Sequence, residues 1–175
     1  AGGGGGTRAS VSQSGCDATV SEYGTTASGS GTTHTCAERP ASSAGTGGER
    51  SSTSWGSGGG GFDSDGIDDG SYGFGGASWF SGLVGGGAST SAGSWCSAPA
   101  DGGFGGGGSG NGCNGGGGGG GYSGGAGGRV AGGGGSFNDG ADAFAVPSVG
   151  LDDGAVFIEG RSDEIIPELE GLPAP

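Results

Sequence analysis

Lysine and methionine are absent from this chain of 175 residues, histidine occurs once, and only 29% of the residues are apolar. Each shortage narrows the field. The positive charges are five arginines, Arg8, Arg39, Arg50, Arg129 and Arg161, against 18 acids, for a formal net charge of −13. Such a field repels a phosphate backbone, which argues against nucleic acid as a partner. The scarcity of large apolar side chains argues against an ordinary hydrophobic core. No apolar run approaches the roughly 20 residues of a membrane helix. The opening AGGGGG has neither the charged start nor the apolar centre of a signal peptide, so secretion requires a signal already removed or lying outside this sequence. With 6 prolines, and with 55 glycines gathered in blocks rather than at every third residue, the chain is not collagen-like either.

What the chain has is glycine, as in GCNGGGGGGGYSGGAGG from Gly112 to Gly128. Glycine loses more chain entropy on ordering than any other residue and has no side chain to bury. Such a run is therefore disordered, as flexible linkers are, or held by its peptide groups. Compact groups between the blocks argue for order: SYGFGGASWF (Ser71–Phe80), GSWC (Gly93–Cys96) and GAVFIEG (Gly154–Gly160) carry large apolar residues that a linker does not need. Without Cβ atoms, backbones can lie side by side as left-handed threefold helices of the polyproline II type, rising about 3.1 Å per residue. Their amides and carbonyls then point outward in three directions and bond to neighbouring helices. The predicted fold is mostly irregular by standard classes. It is a disulfide-stapled bundle of polyglycine II helices with a few short β-strands and little or no α-helix. The block Gly115–Gly121 suits its buried centre, with Phe62, Phe104, Tyr122 and Phe137 capping it at block edges.

Changes in composition divide the chain into four parts. Residues 1–55 form a glycine block followed by a serine- and threonine-rich loop, and 56–145 hold the predicted bundle. Residues 146–160 close the module with the strand AVFIE (Ala155–Glu159), and 161–175 form an acidic, proline-punctuated tail. The blocks are irregularly spaced, so no solenoid repeat is expected.

Four cysteines, Cys16, Cys36, Cys96 and Cys113, occur without a C-x-x-C motif and beside a single histidine, His34, which favours disulfides over zinc ligation. Disulfides point to an oxidising, extracellular setting. Pairing of nearest neighbours joins Cys16 to Cys36 and Cys96 to Cys113, one of three connectivities open to four cysteines. The acidic loop FDSDGIDDG offers Asp63, Asp65, Asp68 and Asp69 as hard oxygen ligands, a weak calcium candidate. It lacks the glycine position and closing glutamate of an EF-hand, and solvated turn residues are the simpler reading. Matches to G-x-S-x-G and G-x-G-x-x-G arise by chance in this composition, and no second histidine supports a catalytic triad. No catalytic residue and no cofactor are expected.

From Trp95 to Gly125, WCSAPADGGFGGGGSGNGCNGGGGGGGYSGG resembles the glycine-rich extracellular region of the anaplastic lymphoma kinase and leukocyte tyrosine kinase receptors. The matching elements are Cys96, the block Gly102–Gly108, Cys113, and the longer block Gly115–Gly125. GSGGGGFDSDG, SWFSGLVGGGAS and DDGAVFIEG extend the likeness over about residues 56 to 160. The resemblance implies packed polyglycine helices inserted into a β-sandwich, a Cys96–Cys113 bridge, and a receptor that recognises a small helical cytokine. Most of the sandwich strands, the membrane span and the kinase of that family have no counterpart here, and the cassette does not carry the receptor's function with it. The leading expectation is a non-catalytic extracellular structural or assembly module in contact with other protein chains or with copies of itself. Cytokine recognition within a receptor ectodomain is the alternative. Ice binding is a third reading, and it lacks the regular G-x-x repeat that would support it.

Overall fold

The structure, a computed structural model, describes residues 2–6, 14–28, 33–50, 55–89, 100–111 and 113–140. The strand expected at Ala155–Glu159, the acidic tail and Cys96 lie outside the described residues. Regular structure is sparse. Strand β1 (Thr25–Ser28) and strand β2 (Thr35–Glu38) pair antiparallel with Thr25 opposite Glu38 and Ala27 opposite Cys36. Both are short and begin with threonine, whose branched side chain suits an extended strand. A disulfide joins Cys36 on β2 to Cys16, so the hairpin is tied to the chain that precedes it. Pro40 then presets the backbone for a single turn of 3₁₀ helix at Ala41–Ser43. Among the described residues there is no α-helix and no other strand, only isolated bridges such as Arg50 to Gly127 and Gly116 to Gly128.

Order comes instead from peptide groups of remote segments. Among the described residues the buried apolar ones are few and mostly small: Cys16, Ala126, Val130 and Ala131. Beside a set of buried polar side chains, the interior formed by the described residues is backbone, with Gly115–Gly120, Gly124–Gly128 and Gly132–Gly135 all buried. The bonds follow a period of three. The amides of Gly116, Gly119 and Tyr122 donate to the carbonyls of Gly128, Gly132 and Gly135 at 2.9, 2.9 and 2.8 Å, whereas those of Gly118 and Gly121 donate to Ser57 and Gly60 at 2.9 and 3.2 Å. Contact is so close that a Cβ on Gly76 would stand 1.7 Å from the Gly106 carbonyl oxygen. Glycine at these positions is the condition for backbone to touch backbone.

Small polar side chains substitute for peptide groups where glycine is interrupted. Ser57 Oγ accepts from the Asp69 amide at 3.0 Å and donates to the Gly73 carbonyl at 3.0 Å, while Ser109 Oγ donates to the Phe74 carbonyl at 2.9 Å. Ser123 Oγ accepts from the Gly45 amide and donates to the Glu22 carbonyl. Arg39 is almost fully buried; its Nη1 donates to the Gly124 carbonyl at 2.7 Å and its Nη2 lies 3.7 Å from the exposed Glu49 carboxylate. Burial lowers the Arg39 pKa, and the Glu49 charge opposes that shift only in part.

Candidate functional site

The four aspartates predicted as oxygen ligands lie on one loop but serve different neighbours. Asp65 accepts from the Ser78 amide at 2.7 Å and Asp68 from the Gly75 amide at 2.7 Å. Asp69, 2% exposed, accepts from the amides of Gly56, Ser71 and Tyr72 at 3.2, 3.3 and 3.3 Å. Asp63 is exposed, with its carboxylate set against Gly45. No three of these carboxylates converge within 4.8 Å. The loop caps amides at the border of the bundle, a role the sequence signalled only through its run of Asx residues. The one His/Cys/Asp/Glu group among the described residues with metal-ligand spacing is Cys16, His34 and Cys36, and both of its sulfurs are committed to the disulfide. Cys113 is likewise disulfide-bonded; the Cys96 half of its expected pair falls outside the described residues.

Asp65 gives the loop a pH signature. The Ser78 amide, then the Ser81 and Ser78 hydroxyls, bond its ionised form and hold its pKa below the ordinary 3.8. A depressed carboxylate contributes stability that is fully present above its unfolded value and is lost as pH falls through the folded value. Asp65→Asn should therefore lower the thermal midpoint slightly at pH 7, and the gap from the parent should shrink below pH 3.8. A gap that stays constant into acid would show that the carboxylate charge contributes nothing.

The large apolar side chains gather at the bundle's surface. Phe62 stacks on Trp79 at 6.2 Å between ring centroids, meets the edge of Phe80 at 5.2 Å and tilts against Tyr122 at 6.0 Å. Tyr122 in turn stacks on Phe137 at 4.8 Å. The block-edge positions of Phe62, Tyr122 and Phe137 in the sequence thus mark one contiguous group, whereas Phe104 stands apart. Trp79 and Phe80 are 59% and 72% exposed, and Phe104 is completely exposed. The sequence did not reveal that Trp79 and Phe80 join this row. They reach it because a tight turn, in which the amides of Ser81 and Leu83 return to the Ser78 carbonyl, folds them back over Phe62. A second cluster is better covered: Trp55 stacks on Tyr72 at 5.2 Å and the Arg129 guanidinium lies 5.8 Å from the Trp55 ring centre.

An open groove of about 570 Å³ lies elsewhere on the bundle, walled almost entirely by glycine from Gly2–Gly6, Gly102–Gly108 and Gly115–Gly120. No described helix is long and apolar enough to cross a membrane. Comparison with protein families, curated proteins and solved structures finds no match to this chain.

Proposed function

We propose that the chain is a non-catalytic, extracellular structural module whose glycine segments are polyglycine II helices and which works in contact with other protein chains. The period-three bonding around Gly116–Tyr122 supports the helix reading, since three residues per turn send successive amides in three directions. The observation that carries the functional reading is the aromatic row of Phe62, Trp79, Phe80, Tyr122 and Phe137, in which all but the half-buried Tyr122 are exposed. Contiguous exposed apolar surface of this kind marks interaction sites. It sits on a frame whose described residues bury almost no large apolar side chains, so the large apolar groups of the row are placed for contact rather than for folding. The disulfides and the resemblance to receptor glycine-rich regions support an extracellular setting.

Light scattering of the native protein tests the reading. A species heavier than the 15.9 kDa monomer is expected, shifting back toward the monomer mass in a Trp79→Ser/Phe80→Ser variant. A strictly monomeric, well-folded protein with no partner at high concentration would defeat it. Saturable binding of a small helical cytokine would instead favour ligand recognition within a receptor ectodomain.

A further inference from the structure

A helix with three residues per turn and no side chains has six directions for backbone bonding, three through its amides and three through its carbonyls. Five of the six are occupied around Gly115–Gly121. Through amides, the block bonds to the segments at Gly128–Gly135 and at Ser57–Gly60. Through carbonyls, Gly117 and Gly120 accept from the amides of Gly6 and Gly3 at 2.9 and 2.8 Å, Gly118 accepts from Gly108 at 2.8 Å, and Gly116 and Gly119 accept from Gly128 and Gly125 at 3.2 and 2.8 Å. The third amide direction belongs to Gly117 and Gly120. Among the described residues neither amide has an acceptor, although both residues are buried. Buried amides without acceptors are rare in folded proteins because each carries a desolvation penalty. Both residues line the open groove, between the wall at Gly2–Gly4 and the wall at Gly102–Gly105.

We propose that this groove is a binding site for a glycine-rich segment of another polypeptide. The segment enters as the sixth helix around Gly115–Gly121, and carbonyls three residues apart accept the amides of Gly117 and Gly120. The proposal rests on the polyglycine II reading of these segments and is independent of the aromatic row. Two features select the occupant. The walls are backbone, with Ala100, Asp101 and Phe104 as the side chains at the groove, so a strand bearing side chains toward them would collide. The scale of the collision is visible inside the bundle, where a Cβ on Gly117 would stand 1.7 Å from the Gly108 carbonyl oxygen. The one charged side chain at this groove is Asp101, and a second copy would bring its own surplus of acids to it, so the occupant of the groove, unlike a contact through the aromatic row, is a different, uncharged or basic chain. Six residues at about 3.1 Å each run the length of the groove floor, and the incoming strand covers part of the fully exposed Phe104 ring. This is the polyglycine counterpart of adding a strand to a sheet edge.

Hexaglycine titrated into the full-length protein, with amides followed by nuclear magnetic resonance, tests the site. In the free protein the amides of Gly117 and Gly120 should exchange at least tenfold faster than those of Gly116, Gly118 and Gly119. Hexaglycine should shift the Gly117 and Gly120 resonances and slow their exchange at least tenfold, while an alternating serine–alanine hexapeptide should leave both unchanged. Gly103→Leu and Gly4→Leu add side chains on groove-lining residues of the two walls, at positions where an added Cβ meets nothing within 4 Å, or only the Cys16 carbonyl oxygen at 4.0 Å. Either variant should fold and weaken hexaglycine binding at least tenfold. The proposal is overturned if saturating hexaglycine leaves Gly117 and Gly120 unchanged, if the serine–alanine peptide binds equally well, or if both folded variants bind like the parent. Concentration-dependent self-association that protects the same two amides without peptide would also overturn it, by assigning the groove to a second copy.

Discussion

Gly118→Ala is expected to destabilise the protein by about 4 kcal/mol, as much as a large core truncation in an ordinary domain. The new Cβ would stand 1.9 Å from the Gly125 carbonyl oxygen, 2.6 Å from its carbon and 2.9 Å from the Gly59 nitrogen. In a side-chain core an extra methyl is absorbed by rotamer changes, at about 1–3 kcal/mol. Here the obstructing atoms are backbone and have no rotamers. They are also held: the Gly118 amide donates to Ser57 at 2.9 Å, its carbonyl accepts from Gly108 at 2.8 Å, and the Gly125 amide donates to Gly119 at 2.8 Å. Relief requires sliding one segment and stretching two or three such bonds, each worth about 1 kcal/mol. Gly87→Ala is the matched control, because its Cβ would meet only a Phe74 ring carbon at 3.9 Å. That substitution should be neutral or stabilise by up to about 1 kcal/mol through the unfolded chain. Urea unfolding of the two variants decides the matter, and a Gly118→Ala loss under about 1 kcal/mol would mean that backbone contact does not hold the bundle.

Removal of the Cys16–Cys36 bridge as Cys16→Ala/Cys36→Ala should cost about 3 kcal/mol, the loop-closure value for a separation of 20 residues. The effect matters more here than in a side-chain core. Ordering glycine is entropically expensive, and the peptide bonds that oppose that cost contribute little each. A crosslink that restricts the unfolded chain therefore provides a large share of net stability. It also holds buried Cys16 in place, whose amide donates to Ala131 at 2.7 Å and whose carbonyl accepts from Gly5 at 2.9 Å. Loss of the bridge should thus loosen the Gly2–Gly6 wall of the groove as well as the hairpin of β1 and β2. Calorimetry should show a midpoint lower by roughly 10 °C. An unchanged midpoint would show that the hairpin and the bundle are energetically separate.

Several features of this arrangement are legible in single residues of the sequence. The uninterrupted run at Gly115–Gly121 marks the centre, because only a residue without Cβ can be surrounded by backbone on all sides, and Gly115–Gly120 are buried as that predicts. Phe62, Tyr122 and Phe137 stand where blocks end, and their rings meet. Cys16 pairs with Cys36, the nearest-neighbour option among the three connectivities open to four cysteines. Other features are not legible. Asp63, Asp65, Asp68 and Asp69 look like a ligand set because they are close in sequence, yet Asp65, Asp68 and Asp69 bond amides of different segments. Arg39 carries no mark in the sequence that sets it apart from the other arginines, and the fold buries it against Gly124.

The sequence by itself determined which stretches are able to touch backbone to backbone, since glycine content decides where no side chain stands between chains. Only the tertiary structure decided which segment lies beside which, that Gly48 meets Gly59 and Gly125 and that Gly76 meets Gly58 and Gly106, and that the amides of Gly117 and Gly120 have no acceptor among the described residues. The physical reason is that side chains label their positions and peptide groups do not. Every glycine in a block offers the same amide and the same carbonyl, so many registers of the same sequence form equally good bonds one pair at a time. The choice among them falls to the disulfide, the turns and the few serines, aspartates and aromatics that interrupt the blocks, acting together over the whole bundle.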